Sequence, residues 1–123
     1  MIRLATKKAK ESKFGRARVG ACICSGGRIL SSGVNRIGYS RYRLDRRFPE
    51  SIHAEVAAIV ELLKARRSHE LVGSTLYVSR IDASGAPRMA RPCSNCQRII
   101  EAVGIRKVFY TTNEGTVCLR CNR

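Results

Sequence analysis

The stretch Ser51-Ile52-His53-Ala54-Glu55, with the apolar run that follows it, decides the fold of this chain. Residues 51–67 predict a helix, because alanine, valine and leucine recur there at helical spacing and Ser51 can cap the first turn. His53 and Glu55 are two residues apart and would face different directions in the middle of a helix. They can face one site only from the first turn, so the sequence predicts a site at the start of this helix.

A second helix start lies further along the chain, at Pro92-Cys93-Ser94-Asn95-Cys96. Proline is tolerated in the first turn of a helix and Gly104 can end one, so this helix is predicted to run to about Val103. Cys93 and Cys96 are three residues apart and therefore share one face of the helix. One helix start thus carries two thiols, and the other carries an imidazole and a carboxylate.

These four side chains have the chemistry of a hydrolytic zinc site. Imidazole nitrogen and thiolate sulfur are zinc ligands, and a catalytic zinc with three protein ligands keeps a fourth position for water, whose pKa it lowers to about 7. We therefore predict one catalytic zinc ion held by His53, Cys93 and Cys96, with Glu55 carrying the proton. Either pattern alone is common without function. Both patterns together, each at a helix start and with a strand between them, are specific.

The remaining segments predict an α/β domain. Two glycines in Ser25-Gly26-Gly27-Arg28 supply the positive φ of a hairpin turn. Too few residues follow Thr111 for a parallel crossover through a helix, so a last strand should return antiparallel to the strand before it. The other predicted elements are a helix over 2–12, strands over 16–24 and 29–34, a loop over 35–50, a strand over 74–80, a loop over 82–91, and strands over 106–111 and 116–120.

The pattern H-x-E…P-C-x-x-C is that of zinc deaminases, and the chain resembles the cytidine/deoxycytidylate deaminase superfamily from about Arg16 to Tyr110. The resemblance implies a three-layer cytidine-deaminase-like fold, with a mixed sheet of four to five strands flanked by helices, in a single domain of residues 1–123. The chain departs from the family at Arg91-Pro92-Cys93, where the family has Glu-Pro-Cys, and in an extra stretch from Asp82 to Ala90. The matching segments are Val19-Gly20-Ala21, Ser32-Gly33-Val34-Asn35, His53-Ala54-Glu55, Thr75-Leu76-Tyr77-Val78, Pro92-Cys93-Ser94-Asn95-Cys96 and Gly104-Ile105-Arg106-Lys107-Val108-Phe109-Tyr110.

The resemblance also implies roles for individual residues. It assigns the three zinc ligands and the proton shuttle to the same four side chains. Asn35 matches the family asparagine that contacts the sugar or the base, and Ala54 matches the position whose backbone amide helps to hold the pyrimidine. The implied reaction is hydrolytic conversion of cytosine to uracil with release of ammonia.

The net charge of +15, from 24 Lys and Arg against 9 Asp and Glu, favours a polyanionic partner. In the loop over 35–50, Arg41 and Arg43 alternate with Tyr39 and Tyr42, and such a mixture can follow phosphates and stack on bases, although an ordinary solvated loop has the same composition. The charge therefore favours cytosine in nucleic acid, DNA rather than RNA, single-stranded or flipped out. The alternative substrate is a free nucleotide or nucleoside, such as deoxycytidylate or cytidine.

Four further cysteines leave another class of protein open. Cys118 and Cys121 follow the first Cys-x-x-Cys pair at a distance slightly longer than that of structural four-cysteine zinc modules. A non-enzymatic, zinc-ribbon-like nucleic-acid-binding module is therefore a competing interpretation, but it leaves His53-Ala54-Glu55 unexplained. Cys22 and Cys24 are interpreted as small buried core residues. Together with Cys118 and Cys121 they could instead hold a second, structural zinc ion.

The location of the protein is predicted from what its sequence lacks. No run of about 18 apolar residues could span a bilayer, and the basic segment Met1 to Lys13 is not followed by the apolar region of a secretory signal. We therefore expect a cytoplasmic protein without a membrane partner. In that compartment the six cysteines are expected to be metal ligands or free thiols rather than disulfides.

Overall fold

A mixed β-sheet forms the centre of the computed structural model, which describes residues 1–13, 17–36 and 52–121. No helix in these segments is long and apolar enough to cross a membrane. In chain order the elements are α1 (Ile2–Ala9), β1 (Arg18–Ser25), β2 (Arg28–Val34), α2 (Ala54–Lys64), a 3-10 turn (Ser68–Leu71), β3 (Thr75–Ile81), β4 (Pro87–Arg88), α3 (Ser94–Ala102), β5 (Lys107–Thr112) and β6 (Gly115–Arg120).

The strand order is β2-β1-β3-β5-β6, with the two-residue β4 paired to the end of β3. Strands β3 and β5 run parallel, and the other pairs are antiparallel. The predicted mixed sheet and the predicted antiparallel return of the last strand are therefore confirmed. Strand β4 adds a sixth strand within the segment that was predicted to be a loop, because Pro87 and Arg88 turn back onto Ile81 and Arg80.

Both site-bearing helices begin slightly later than predicted. His53, in an extended conformation, is the N-cap of α2, whereas the predicted cap Ser51 lies outside the described residues. Helix α3 has Cys93 as its N-cap, so Pro92 precedes the helix rather than opening it. The side chain of Cys93 accepts a hydrogen bond from the backbone N–H of Cys96, which satisfies one of the free donors at this helix start.

The helices lie on both faces of the sheet. One face packs against α2 and α3 through a core that includes Ile23, Leu76 and Val108, neighbours on β1, β3 and β5. The other face packs against α1, where Cys22 and Cys24 are 1% and 3% exposed. Their burial agrees with the interpretation of these two cysteines as core residues.

Two glycines let the helices lie directly on the sheet. A Cβ atom at Gly20 would lie 2.2 Å from the carbonyl oxygen of Ala5 in α1. A Cβ atom at Gly33 would lie 2.5 Å from the carbonyl oxygen of Ala54 and 2.6 Å from the backbone nitrogen of Ala58. Gly33 therefore allows the first turn of α2, which carries the predicted site, to pack directly against β2.

Candidate active site

His53 is placed by the first turn of α2. Its carbonyl oxygen accepts the hydrogen bond of Ala57 N–H at 2.9 Å, which fixes the backbone at the helix start. Its ring nitrogen Nδ1 lies 3.1 Å from Sγ of Cys96, at the start of α3. The two helix starts therefore meet through these side chains, although the residues are 43 positions apart in sequence.

The nitrogen and sulfur atoms of His53, Cys93 and Cys96 form a potential zinc site. Their ligand atoms all lie within 4.8 Å of one another, and no other group of three or more His, Cys, Asp and Glu residues in the described segments meets that condition. Tetrahedral zinc, with bonds of about 2.0–2.3 Å, places its ligand atoms roughly 3.5–4 Å apart. The donor types and the spacing of these three side chains therefore fit a zinc ion after small side-chain movements.

Glu55 lies in the same first turn of α2 and is only 6% exposed. Burial raises the pKa of its carboxyl group, while a hydrogen bond from its own backbone amide and the nearby His53 act in the opposite direction. Burial is thus the main influence on this carboxyl. A desolvated carboxyl beside three potential metal ligands is suited to carrying a proton during hydrolysis.

A cavity of about 330 Å³ opens onto His53, Glu55 and Cys93. Its volume is at the lower end of the range for small-molecule sites. Five of the residues predicted from the sequence line this cavity, namely Asn35, His53, Ala54, Glu55 and Cys93, whereas the predicted ligand Cys96 is not part of its described lining. Ala17, Val19, Arg80, Met89, Ala90 and Arg91 complete the described lining.

Arg80 is a lining residue that the sequence analysis missed. It follows Leu76 and Val78 on the same side of β3, and those two residues are fully buried in the core between the sheet and the helices. An arginine that continues an inward-facing alternation is a detectable signal of a functional position, because charged residues are rarely placed there without a reason.

Asn35 has a structural role that its sequence position does not reveal. Its Oδ1 accepts a hydrogen bond from Val19 N–H at 2.9 Å, and its Nδ2 donates to the carbonyl oxygen of Ala17 at 2.7 Å. These bonds tie the end of β2 to the start of β1 at the cavity wall. Asn35 lines the cavity, and its Nδ2 retains a second N–H besides the one given to Ala17, so its contact with a substrate stays a prediction.

The four other predicted substrate contacts cannot be placed against this cavity. Tyr39, Arg41, Tyr42 and Arg43 all lie within residues 37–51, outside the described part of the chain. Their contact with nucleic acid therefore stays a prediction from the sequence.

The second Cys-x-x-Cys pair does not form a metal site with the first. Cys118 is exposed and pairs across the strands with Phe109, whereas Sγ of Cys121 accepts a hydrogen bond from Gln97 of α3 at 3.5 Å. The described residues contain no second group of three metal ligands. Neither a zinc ribbon nor a second zinc ion held with Cys22 and Cys24 fits this arrangement.

Comparison with known proteins agrees with the fold and the site. The family model described as the cytidine and deoxycytidylate deaminase zinc-binding region matches residues 1–112. The deoxycytidylate deaminase of Mycobacterium phage D29 is 29% identical in an alignment of 126 positions, with 87% of this chain and 88% of that protein covered. The chain belongs to this zinc-binding deaminase family, so the resemblance inferred from the sequence is confirmed.

Solved structures support the same assignment. The dCMP deaminase of cyanophage S-TIM5 in its apo form has a TM-score of 0.67 at 28% identity, with 89% of this chain and 77% of that chain covered. The same cyanophage enzyme in complex with dCMP and dUMP has a TM-score of 0.66 at 25% identity, with 89% of this chain and 76% of that chain covered. Cytidine deaminase from Mycobacterium leprae shares the fold, with a TM-score of 0.56 at 20% identity over 96% of this chain and 89% of that chain.

Proposed function

We propose that this protein is a zinc-dependent deaminase of a free cytosine nucleotide, with deoxycytidylate as the substrate. The observation that carries the reaction is the meeting of three zinc-type donors, two of which line one cavity together with the buried Glu55. The substrate is supported by relatives that are named deoxycytidylate or dCMP deaminases and that match most of this chain. These relatives favour the free nucleotide over DNA, which the net charge and the arginine- and tyrosine-bearing loop had favoured from the sequence.

His53, Cys93 and Cys96 would hold the metal from two helix starts. Zinc bound there would supply Lewis-acid activation of a water molecule near neutral pH. The cavity wall beside Glu55, including the backbone of Ala54, would orient the cytosine ring so that C4 faces that water. In this arrangement the cavity wall would position the base for attack.

Glu55 would carry the protons of the reaction. It accepts a proton from the attacking water while a C4–O bond forms, and it passes that proton to ring N3. It then accepts the proton of the new C4 hydroxyl group and delivers it to the amino group. The C4–N bond then breaks, and ammonia leaves with uracil as the product. Water and cytosine are converted to uracil and ammonia, so no oxidant or second substrate is required.

Cytosine in a polynucleotide is a second candidate substrate, which the net charge of +15 favours. The two candidates are separated by incubating the protein with deoxycytidylate, deoxycytidine, cytosine-containing single- and double-stranded DNA, and RNA. Chromatography of the monomers and sequencing of the polymers measure conversion. Conversion of deoxycytidylate supports the proposal, whereas conversion of polymers alone would replace it with the polynucleotide reaction.

Replacement of Glu55 by glutamine tests the proposed proton carrier. Because general acid–base catalysis typically contributes about 10²–10⁴-fold, Glu55→Gln should lower kcat by about that factor. The variant should keep its zinc, measured by atomic emission, because Glu55 is not one of the three ligand donors. Wild-type turnover in this variant would rule out the proposed role of Glu55.

A further inference from the structure

Two guanidinium groups, those of Arg80 and Arg91, line the cavity and have no role in the proposed mechanism. Arg80 is on β3, opposite Val19 of β1, and both residues line the cavity together with His53 and Glu55. The side chain therefore extends from the sheet toward the space where a substrate would lie.

The Nε–H group of Arg80 is buried and has no hydrogen-bond partner. Buried donors are nearly always paired in folded proteins, and an unpaired one is unfavourable. Arg18, one strand away, provides a contrast: its Nε is also unpaired, but its guanidinium donates to the carbonyl oxygen of Asp82 at 2.8 Å. Among residues 1–13, 17–36 and 52–121, no ion pair joins Arg80 to an acid.

The other charges around the cavity indicate what kind of group would satisfy this donor. Glu55 is the acidic residue among the described lining residues, and Arg91 adds a second guanidinium to the lining. A fixed cation with an unused N–H at a cavity wall favours a ligand oxygen that accepts hydrogen bonds. A cytosine nucleotide presents two such oxygens that could reach a wall, one on its phosphate and one at the pyrimidine 2-oxo position.

We propose that Arg80 is a specificity-determining residue that donates a hydrogen bond from its guanidinium to an acceptor oxygen of the nucleotide. The proposal rests on the proposed nucleotide deaminase function and adds a recognition residue that lies outside the H-x-E and P-C-x-x-C patterns. In the free protein the donor is held without a partner, and the substrate supplies one on binding. Arg80 thus acts on binding and selectivity, whereas Glu55 acts on proton transfer.

The test compares Arg80→Gln and Arg80→Lys with Arg106→Gln. Arg106 is exposed and lies before β5, outside the cavity lining, so its replacement removes the same charge elsewhere. Values of kcat/KM are measured for deoxycytidylate and deoxycytidine, and the affinity for dUMP is measured by calorimetry. A hydrogen bond to a charged group typically changes affinity by about 10- to 100-fold. The kcat/KM for deoxycytidylate and the affinity for dUMP should therefore fall by about that factor in Arg80→Gln, and both should match the wild type in Arg106→Gln.

The two substrates identify the oxygen. If kcat/KM of Arg80→Gln falls for deoxycytidylate but not for deoxycytidine, Arg80 donates to the phosphate. If kcat/KM falls equally for both substrates, Arg80 donates to the pyrimidine oxygen. Arg80→Lys should fall between the wild type and Arg80→Gln, because it keeps the charge without the guanidinium N–H. The melting temperature of Arg80→Gln should stay close to the wild-type value, because the Arg80 side chain makes no hydrogen bond or ion pair with the described residues that the substitution would break.

Unchanged kcat/KM and unchanged dUMP affinity in Arg80→Gln would overturn the proposal. A lowered melting temperature with wild-type dUMP affinity would also overturn it, since that result describes a structural residue. If the wild type converts no nucleotide but binds dUMP through Arg80, the nucleotide deaminase function fails while the recognition role stands. If the wild type neither converts deoxycytidylate nor binds dUMP, both fail.

Discussion

Two pairs of cysteines in this protein have the same Cys-x-x-Cys spacing, but only one pair belongs to the potential zinc site. Cys93 and Cys96 lie at the start of a helix, where positions three apart share a face, and both sulfur atoms approach the ring of His53. Cys118 and Cys121 lie in and just after a strand, where side chains alternate, so positions three apart face opposite sides of the sheet. The spacing of cysteines therefore predicts a metal site only together with the secondary structure that carries them.

Three cysteines outside the potential zinc site have raised thiol pKa values, namely Cys22, Cys24 and Cys121. Burial raises the pKa of Cys22 to about 12, with further contributions from the neighbouring Cys24. Burial also raises the pKa values of Cys24 and Cys121. Zinc binds the thiolate form, so thiols that are held neutral by burial behave as small apolar side chains rather than as ligands.

The largest expected effect in this comparison is on metal content. Cys93→Ser should lower zinc affinity by more than about 100-fold and abolish turnover, because the site loses one of three ligands. Serine can still cap the helix in place of the thiol, so the fold of α3 should persist. The matched variant Cys118→Ser, another exposed first cysteine of a Cys-x-x-Cys pair, should retain zinc and activity.

Zinc per chain is measured by atomic emission after dialysis against a weak chelator, with circular dichroism as the control for folding. Equal zinc content in the two variants would show that the helix and strand pairs are not functionally different. Two zinc ions per wild-type chain would likewise contradict a single site.

The second prediction concerns the position of the helix that carries His53. Gly33→Ala should destabilise the protein by about 1–3 kcal/mol, because its Cβ would overlap the backbone of α2 at Ala54 and Ala58. Turnover should also fall, since the first turn of α2 must move. Chemical denaturation measures the free energy of unfolding, and Ser32→Ala on the same strand should change it by less than about 0.5 kcal/mol. Wild-type stability in Gly33→Ala would show that α2 is not seated through this contact.

An intermediate effect is expected in thiol reactivity. At pH 8, a thiol with a pKa of about 12 is ionised in only about one part in ten thousand, so Cys22 should resist iodoacetamide in the folded protein. Cys24 should resist it as well because it is 3% exposed, whereas Cys118 is exposed and should be alkylated. Mass spectrometry of peptides from folded and denatured samples measures the difference. Rapid labelling of Cys22 in the folded state would contradict its burial under α1.

The smallest expected effect is in the loop that connects β3 to β4 ahead of the cysteine pair. Hydrogen bonds from Ser84 above all, with others from Ala86 and Arg88, hold the pKa of Asp82 well below its usual range. Because the folded pKa is lower than the unfolded one, this stabilisation is present above about pH 4 and is lost as the pH falls through the folded pKa.

Asp82→Asn should therefore lower the melting temperature by a few degrees at pH 7, and the gap from the wild type should shrink as the pH is lowered toward 2. Thermal melts over this pH range measure the difference in melting temperature between Asp82→Asn and the wild type. Zinc content is the control that the site is intact. A gap that does not change with pH would mean that the ionised carboxylate is not what stabilises the loop.

Features governed by local pattern could be predicted from the sequence. The Gly26-Gly27 turn, the two site-bearing helices and the antiparallel last strand follow from spacing and turn chemistry, and all are present, although both helices begin slightly later than predicted. The double hydrogen bond of Asn35 could not be predicted, because its partners on β1 are defined only by the pairing of the strands. The separation of Cys118 from the first cysteine pair likewise depends on which face of the sheet each residue occupies.

The contact between His53 and Cys96 has a consequence for the unfolded chain. A zinc ion that bridges these residues is a reversible cross-link across 43 positions of sequence. In the chain-entropy treatment used for disulfides, closing a loop of that length lowers the entropy of the denatured ensemble, which raises its free energy by on the order of 4 kcal/mol. A denatured chain that kept its metal would therefore start refolding with its two helix starts already joined, whereas a chain stripped of zinc must first find that long-range contact by diffusion.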